Sequence, residues 1–160
     1  MQRKASATSV GYKGGASLKR YVIGFAFTPN RLQVALILRQ WATEESSWQL
    51  GKMNGLGGKI KPEETFAEAM EREFREESGI TIPAERWQYR GVYLKADEWK
   101  VFVFTVFDDL VYDVRTNSEE GKVQLVGVPN LSYLPTVANV RWLVPLLLNK
   151  DLKSFEMEEV

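Results

Sequence analysis

The chain has 160 residues, 44% hydrophobic and 26% charged, the balance of one soluble globular domain with a sizeable core. Its 21 basic and 21 acidic residues cancel, so no whole-chain field draws in nucleic acid or membrane. Cys and His are both absent, which excludes disulfides, thiolate or imidazole zinc sites, cysteine nucleophiles and the Ser-His-Asp triad. Any acid–base or metal chemistry must fall to carboxylates.

The longest uninterrupted apolar run, residues 142–148, includes Pro145 and falls far short of the roughly 20 residues a membrane helix needs. No signal-type apolar stretch follows the basic N-terminus, so a cytoplasmic protein is expected. Residues 1–20 hold Arg3, Lys4, Lys13, Lys19 and Arg20 and no acid, which makes them +5 and the remaining 140 residues −5. Residues 1–18 are expected to be a basic, Gly/Ser-rich flexible tail and 19–160 a single domain. A weak RNA-attracting arm is the alternative role for that tail, although RNA is not the favoured partner.

From Tyr21 the pattern is β. Residues 21–27 and 32–38 predict strands around a Pro29-Asn30 turn, and their near-continuous apolarity predicts burial on both faces beneath helices. A polar loop (43–47) and a Gly-dense stretch (51–58), taken as a tight loop, come next. Residues 65–78 predict a helix, with Pro62 ahead of it and Gly79 as its stop. Strands are expected near 87–94 and 100–107, joined as a hairpin across Ala96-Asp97-Glu98, and again at 122–128. A second helix is predicted over 136–148, with Thr136 as N-cap and Pro145 kinking or breaking it. The fold class is α/β (α+β), a mixed sheet with helices on its faces.

Seven of the acids fall in 63–77, namely Glu63, Glu64, Glu68, Glu71, Glu73, Glu76 and Glu77, offset only by Arg72 and Arg75. On a helix, Glu73, Glu76 and Glu77 share one arc beside the apolar face of Phe66, Met70 and Phe74. Ion pairs at i,i+4 account for part of the pattern, but not for three carboxylates crowded against a buried face. Such a group is relieved by protonation of one member or by a hard cation with oxygen ligands, Mg2+ or Mn2+.

Gly58, Glu64, Arg72, Glu73, Glu76, Glu77 and Gly79 stand at the spacing G-x5-E-x7-R-E-U-x-E-E-x-G-U, with Phe74 and Ile80 at the bulky positions. This resembles the Nudix box in all seven fixed positions, a match expected by chance on the order of once in a million such sequences. Phe74 is the mild departure, an aromatic where the family has an aliphatic residue. The resemblance implies a Nudix α/β/α sandwich that hydrolyses a nucleoside diphosphate linked to another moiety, with Mg2+ required and Mn2+ able to substitute. It implies a cation held by Glu73, Glu76, Glu77 and Gly58, with Arg72 steadying a neighbouring acid and Glu64 capping the helix or reaching the cation through water. Glu120, in the loop before the 122–128 strand, resembles the acid that completes the metal site or serves as general base in many members. With no His, the base is Glu120, Glu73 or a water activated by the cation.

Gly57, Gly58 and Lys59 are candidate phosphate contacts, through open backbone N–H groups and a point charge. Met53-Asn54-Gly55-Leu56-Gly57-Gly58-Lys59 is similar to Trp-Asn-Gly-Phe-Gly-Gly-Lys of the MutT-like oxidised-purine nucleotide hydrolases, where the Asn contacts the purine. The paired acids that read the base in that branch align with Asn139 and Val140, so the resemblance leaves open a preference for an oxidised base. Asn139 is a candidate base contact, and Trp142 either stacks on a base or packs in the core, the latter favoured. The substrate these residues imply is a (deoxy)nucleoside triphosphate, purine rather than pyrimidine, cleaved to monophosphate and pyrophosphate. ADP-ribose, a nucleotide sugar or a capped RNA is the second reading, and a non-catalytic nucleotide-binding module the third.

Overall fold

A computed structural model describes residues 17–160. The expected flexible tail therefore lies almost wholly outside the described residues. Among the described residues eight strands and two α-helices occur in the order β1 (Lys19–Phe27), β2 (Gln33–Arg39), β3 (Met53–Asn54), β4 (Leu56–Lys59), α1 (Phe66–Ser78), β5 (Gln88–Lys95), β6 (Trp99–Phe107), β7 (Gly121–Gly127), α2 (Val140–Leu148) and β8 (Phe155–Glu158). The sheet runs β3-β2-β1-β6-β5-β8, with β4 paired to β1 and β7 to β2. It is mixed: β1–β6 and β5–β8 are parallel, the other pairs antiparallel.

The uninterrupted apolarity of β1 and β2 has the cause the sequence suggested. Val22, Ala26, Ala35 and Ile37 join Met70, Phe74 and Trp87 in a core under α1. Ile23, Phe25, Phe27, Val34 and Leu36 join Leu143, Val144 and Leu147 in a second core under α2. Alternate side chains thus serve two helical layers, giving the expected α/β/α sandwich. Gly24 permits a close approach of α1 to the sheet, since a Cβ there would lie 2.7 Å from the Met70 sulfur.

Helix α1 is specified at both ends. Thr65 caps it in a reciprocal box with Glu68, and Gly79 ends it in the left-handed region at φ 72°. The second helix differs from expectation. It starts at Val140, and Thr136 is not its N-cap but part of a parallel bridge to Met53. Met53 donates its N–H to the Pro135 carbonyl (2.7 Å) and accepts from Val137 N–H (3.0 Å), so β3 holds this segment extended. Pro145 occupies the sixth of nine helical positions without ending the helix, and the carbonyl it fails to meet belongs to exposed Arg141. The Gly-dense stretch is not a simple loop but contributes β3 and β4, and β8 at the C-terminal edge was not anticipated.

Candidate active site

Helix α1 and strand β4 lie face to face, and the acidic arc of the helix meets the glycines of the strand. Glu77 is only 2% exposed and its Oε2 accepts the Gly57 N–H at 3.1 Å. A Cβ on Gly58 would stand 2.6 Å from Glu73 Oε1, and one on Gly57 only 2.0 Å from the Val22 carbonyl oxygen. The two glycines are therefore required so that a helix carboxylate can rest on the strand and the strand on β1. The expectation that Gly57 offers an open N–H to a phosphate is corrected, because Glu77 occupies it.

Arg72 ties the other acids together. It grips Glu64 with two donors (Nε 2.9 Å, Nη2 2.5 Å), donates from Nη1 to Glu73 (2.6 Å) and Glu76 (3.3 Å), and reaches the Lys59 carbonyl (2.9 Å). Arg72 thus steadies three neighbouring acids, with Glu64 and Glu73 closer than Glu76. Glu64 is not the helix cap, since Thr65 has that place. Its hydrogen bond with Arg72 holds its carboxyl below the ordinary value, and Glu64 in turn helps raise Arg72.

Arg39, at the end of β2, was not anticipated. Its Nη1 stands 3.1 Å from Glu77 Oε1 and 2.9 Å from Glu120 Oε2, so one guanidinium joins the buried helix acid to the loop acid. Glu120 is fixed there by its backbone too, its carbonyl accepting from Gln40 (3.0 Å) and Trp41 (3.2 Å). A lone arginine closing an apolar strand was the only sequence sign of this bridge.

Burial dominates the electrostatics. It pushes Glu77 up to about 8, opposed by Arg39 and the Gly57 N–H and reinforced by Glu73 and Glu120. Burial likewise raises Glu73, against the pull of Arg72. Glu77 Oε1 is buried with no hydrogen bond, because the Arg39 contact lacks the geometry for one. Among the described residues no three acids converge as a ready-made ligand cluster; the arginines hold them in ion pairs instead. The residues nevertheless fit a hard divalent cation. An orphaned carboxylate oxygen and two acids disfavoured as anions are what such an ion would relieve.

A model of the NUDIX domain matches residues 18–147. The chain belongs to the Nudix family. Its reaction class is accordingly that of the Nudix pyrophosphohydrolases. Solved structures share the fold at low identity. The MutT protein of Bacillus halodurans is 22% identical with a TM-score of 0.65, over 87% of this chain and 90% of that one. A NUDIX hydrolase of Nitrosomonas europaea is 17% identical (TM-score 0.68, 91% and 81%). The NUDIX domain of Shewanella oneidensis NrtR, solved with ADP ribose, is 14% identical (TM-score 0.69, 87% and 92%).

Beside the Nudix helix, the residues expected to meet the base lie at the β3 edge. Asn54 is buried, its Nδ2 donating to Gln49 (3.2 Å) and its Oδ1 accepting the Gly55 N–H (2.8 Å). The bridge between Met53 and Thr136 brings the segment leading to Asn139 to the same edge, where Thr136 Oγ1 and Asn139 Oδ1 are buried without partners. Trp142 is elsewhere, edge-on to Tyr93 at 5.9 Å, so its packing role holds. Lys59 is exposed and, with Lys19 and Arg20, lines a pocket beside the Nudix strand β4. No helix among the described residues is long and apolar enough to cross a membrane.

Proposed function

We propose that this Nudix enzyme cleaves a purine (deoxy)nucleoside triphosphate to the monophosphate and pyrophosphate in the presence of Mg2+, which Mn2+ replaces. The observation that carries the reaction is the buried Glu77 joined through Arg39 to Glu120, with Glu73 against Gly58 on the other side. Glu73, Glu76, Glu77, Glu120 and the Gly58 carbonyl are the groups that would hold the cation. When bound, it neutralises phosphoryl charge and lowers the pKa of an attacking water. Arg72 keeps Glu73 and Glu76 oriented, so the acids need not reorganise as charge develops. Glu120, half-exposed beside Arg39, is the proposed proton acceptor. Lys59, with Arg20 beside it, supplies positive charge for the phosphate chain, while Lys19 in the same pocket is paired with Glu45.

The purine assignment rests on Asn54 and Asn139. Two amides at one edge, with Asn139 Oδ1 unpartnered, offer both a donor and an acceptor to a base edge. ADP-ribose is the second reading, favoured by the shared fold with a NUDIX domain solved with that nucleotide. A rate panel with Mg2+ over purine and pyrimidine triphosphates, ADP-ribose and a nucleotide sugar separates them. We expect kcat/KM for purine triphosphates to exceed the others by about tenfold or more, the net worth of one hydrogen bond to the base. The reverse ranking assigns ADP-ribose, and no turnover of any substrate overturns the catalytic reading.

A further inference from the structure

A cavity of about 150 Å³ lies at the far end of the sheet from the Nudix helix. It sits where β1 and β6 end, at the paired Phe27 and Phe107, whereas Gly57 pairs with Ile23. Four residues of strand separate the two places, roughly 13 Å, and the cavity adjoins α2 rather than α1. Its walls carry Arg31, Arg90 and Lys150 and no acid. Among the described residues none of the three is ion-paired to a carboxylate.

Arg90 is the central group. It is 5% exposed, yet it has no carboxylate partner. It is the extra residue of a β-bulge, since Tyr89 opposes Phe104 and Gly91 opposes Val103. Bulges of this kind re-aim a side chain, and they recur beside functional sites. Its terminal nitrogens donate to the carbonyls of Leu147 (2.9 Å), Leu152 (2.9 Å) and more weakly Asn149 (3.5 Å). Those bonds account for the chain reversal after α2, but they leave Nε buried without any acceptor. Burial and the charge of Arg31 both push the guanidinium below its ordinary value.

Arg31 is held there against local preference. Its φ is +63°, a left-handed conformation that a non-glycine residue adopts at an energetic cost. The conformation belongs to the β1–β2 turn, where the Arg31 N–H donates to the Thr28 carbonyl (2.8 Å); the guanidinium lies over the Phe107 ring, 4.4 Å from the centroid, donates weakly to the Leu148 carbonyl (3.4 Å), and stands within reach of Arg90's field. Asn149 lines the cavity as well, its amide oxygen accepting the Asp151 N–H at 3.0 Å. Arg31, Arg90, Asn149 and Lys150, from three separate segments, thus line one water-accessible cavity. A planar carboxylate has two oxygens; a tetrahedral oxyanion presents acceptors toward all three cations.

We propose that this cavity is a second binding site, for a phosphoryl dianion supplied either as free inorganic phosphate or as the phosphate of a nucleotide. The ligand's charge balances Arg31, Arg90 and Lys150, which line the cavity together. The site is independent of the catalytic reading, because it shares no residue with the acids of α1.

Calorimetric titration of the full chain in EDTA, at constant ionic strength, tests it with inorganic phosphate, pyrophosphate and AMP. Excluding divalent cations leaves the acids of α1 without the ion that would draw a phosphate to them. Saturable binding is expected, retained in Glu77→Gln and weakened about tenfold or more in Arg31→Gly and Lys150→Gln, the loss for one charge-assisted contact. Arg31→Gly also removes the strained φ, so its loss of binding is separable from misfolding by a melting temperature that holds or rises. Tighter binding of AMP than of inorganic phosphate assigns the nucleotide as source, and equal binding assigns the free ion. Absence of saturable binding, binding undiminished in both cavity variants, or binding abolished by Glu77→Gln overturns the proposal.

Discussion

At the scale of single residues, Glu77 concentrates the tension in this protein. Its folded pKa of about 8 lies above the ordinary 4.5, so between those values the native state holds a proton that the unfolded chain has released. Stability from this group therefore falls as pH rises through that window and levels off above it. In EDTA, thermal melts between about pH 5 and pH 9 should show this decline, on the order of a few kcal/mol. Glu77→Gln should flatten it, and Mg2+ should remove it in the unaltered protein. An unchanged slope in Glu77→Gln would show that another group titrates. Arg39 is the companion test. Arg39→Gln removes the bridge between Glu77 and Glu120, and a drop of about 10- to 100-fold in kcat/KM is expected, the usual effect of losing a group that orients a ligand. Arg39→Lys, which keeps charge but loses the fork, should recover part of it in steady-state assays.

The elements show why the acidic face works only against a strand without side chains. Gly58→Ala places a methyl group on the Glu73 carboxylate, so turnover should fall while the melting temperature shifts little. Thr65→Ala should do the opposite. It removes the cap that accepts from Glu68 N–H, lowering stability by about 1 kcal/mol with kcat nearly unchanged. Parallel melts and assays of the two variants check this separation of stability from chemistry. The cap, the glycine stop and the i,i+4 pattern are local, so α1 was legible within a residue of its observed bounds. Helix α2 was not, because Thr136 looks like a cap only until the Met53 backbone claims its segment. The strands β3 and β4 were hidden for the same reason. Their glycines carry a turn signal on their own, and become strand only when β1 and β2 lie alongside.

Across the whole molecule, the C-terminal residues complete the sheet. Phe155 and Met157 alternate with exposed Glu156 and Glu158 as β8 pairs with β5, and the Phe155 backbone and ring close over Gly91. Truncation after residue 152 should bare the β5 edge, lowering the melting temperature by several degrees and producing concentration-dependent association by size-exclusion chromatography. Retention of the native elution volume and melting temperature would show that the edge needs no cover.

The sequence alone determined the family, the acidic helix and the two-sided burial of the central strands. Each is written in spacing along one element, where neighbours in the helix or strand are set by its period. Tertiary structure decided the rest. Arg39 meets Glu77 from 38 positions away in the chain, Arg90 is turned inward by a bulge, and the segment before Asn139 joins Met53 through a bridge at Thr136. Such contacts depend on which strands become neighbours, and no periodicity within a single segment records that choice.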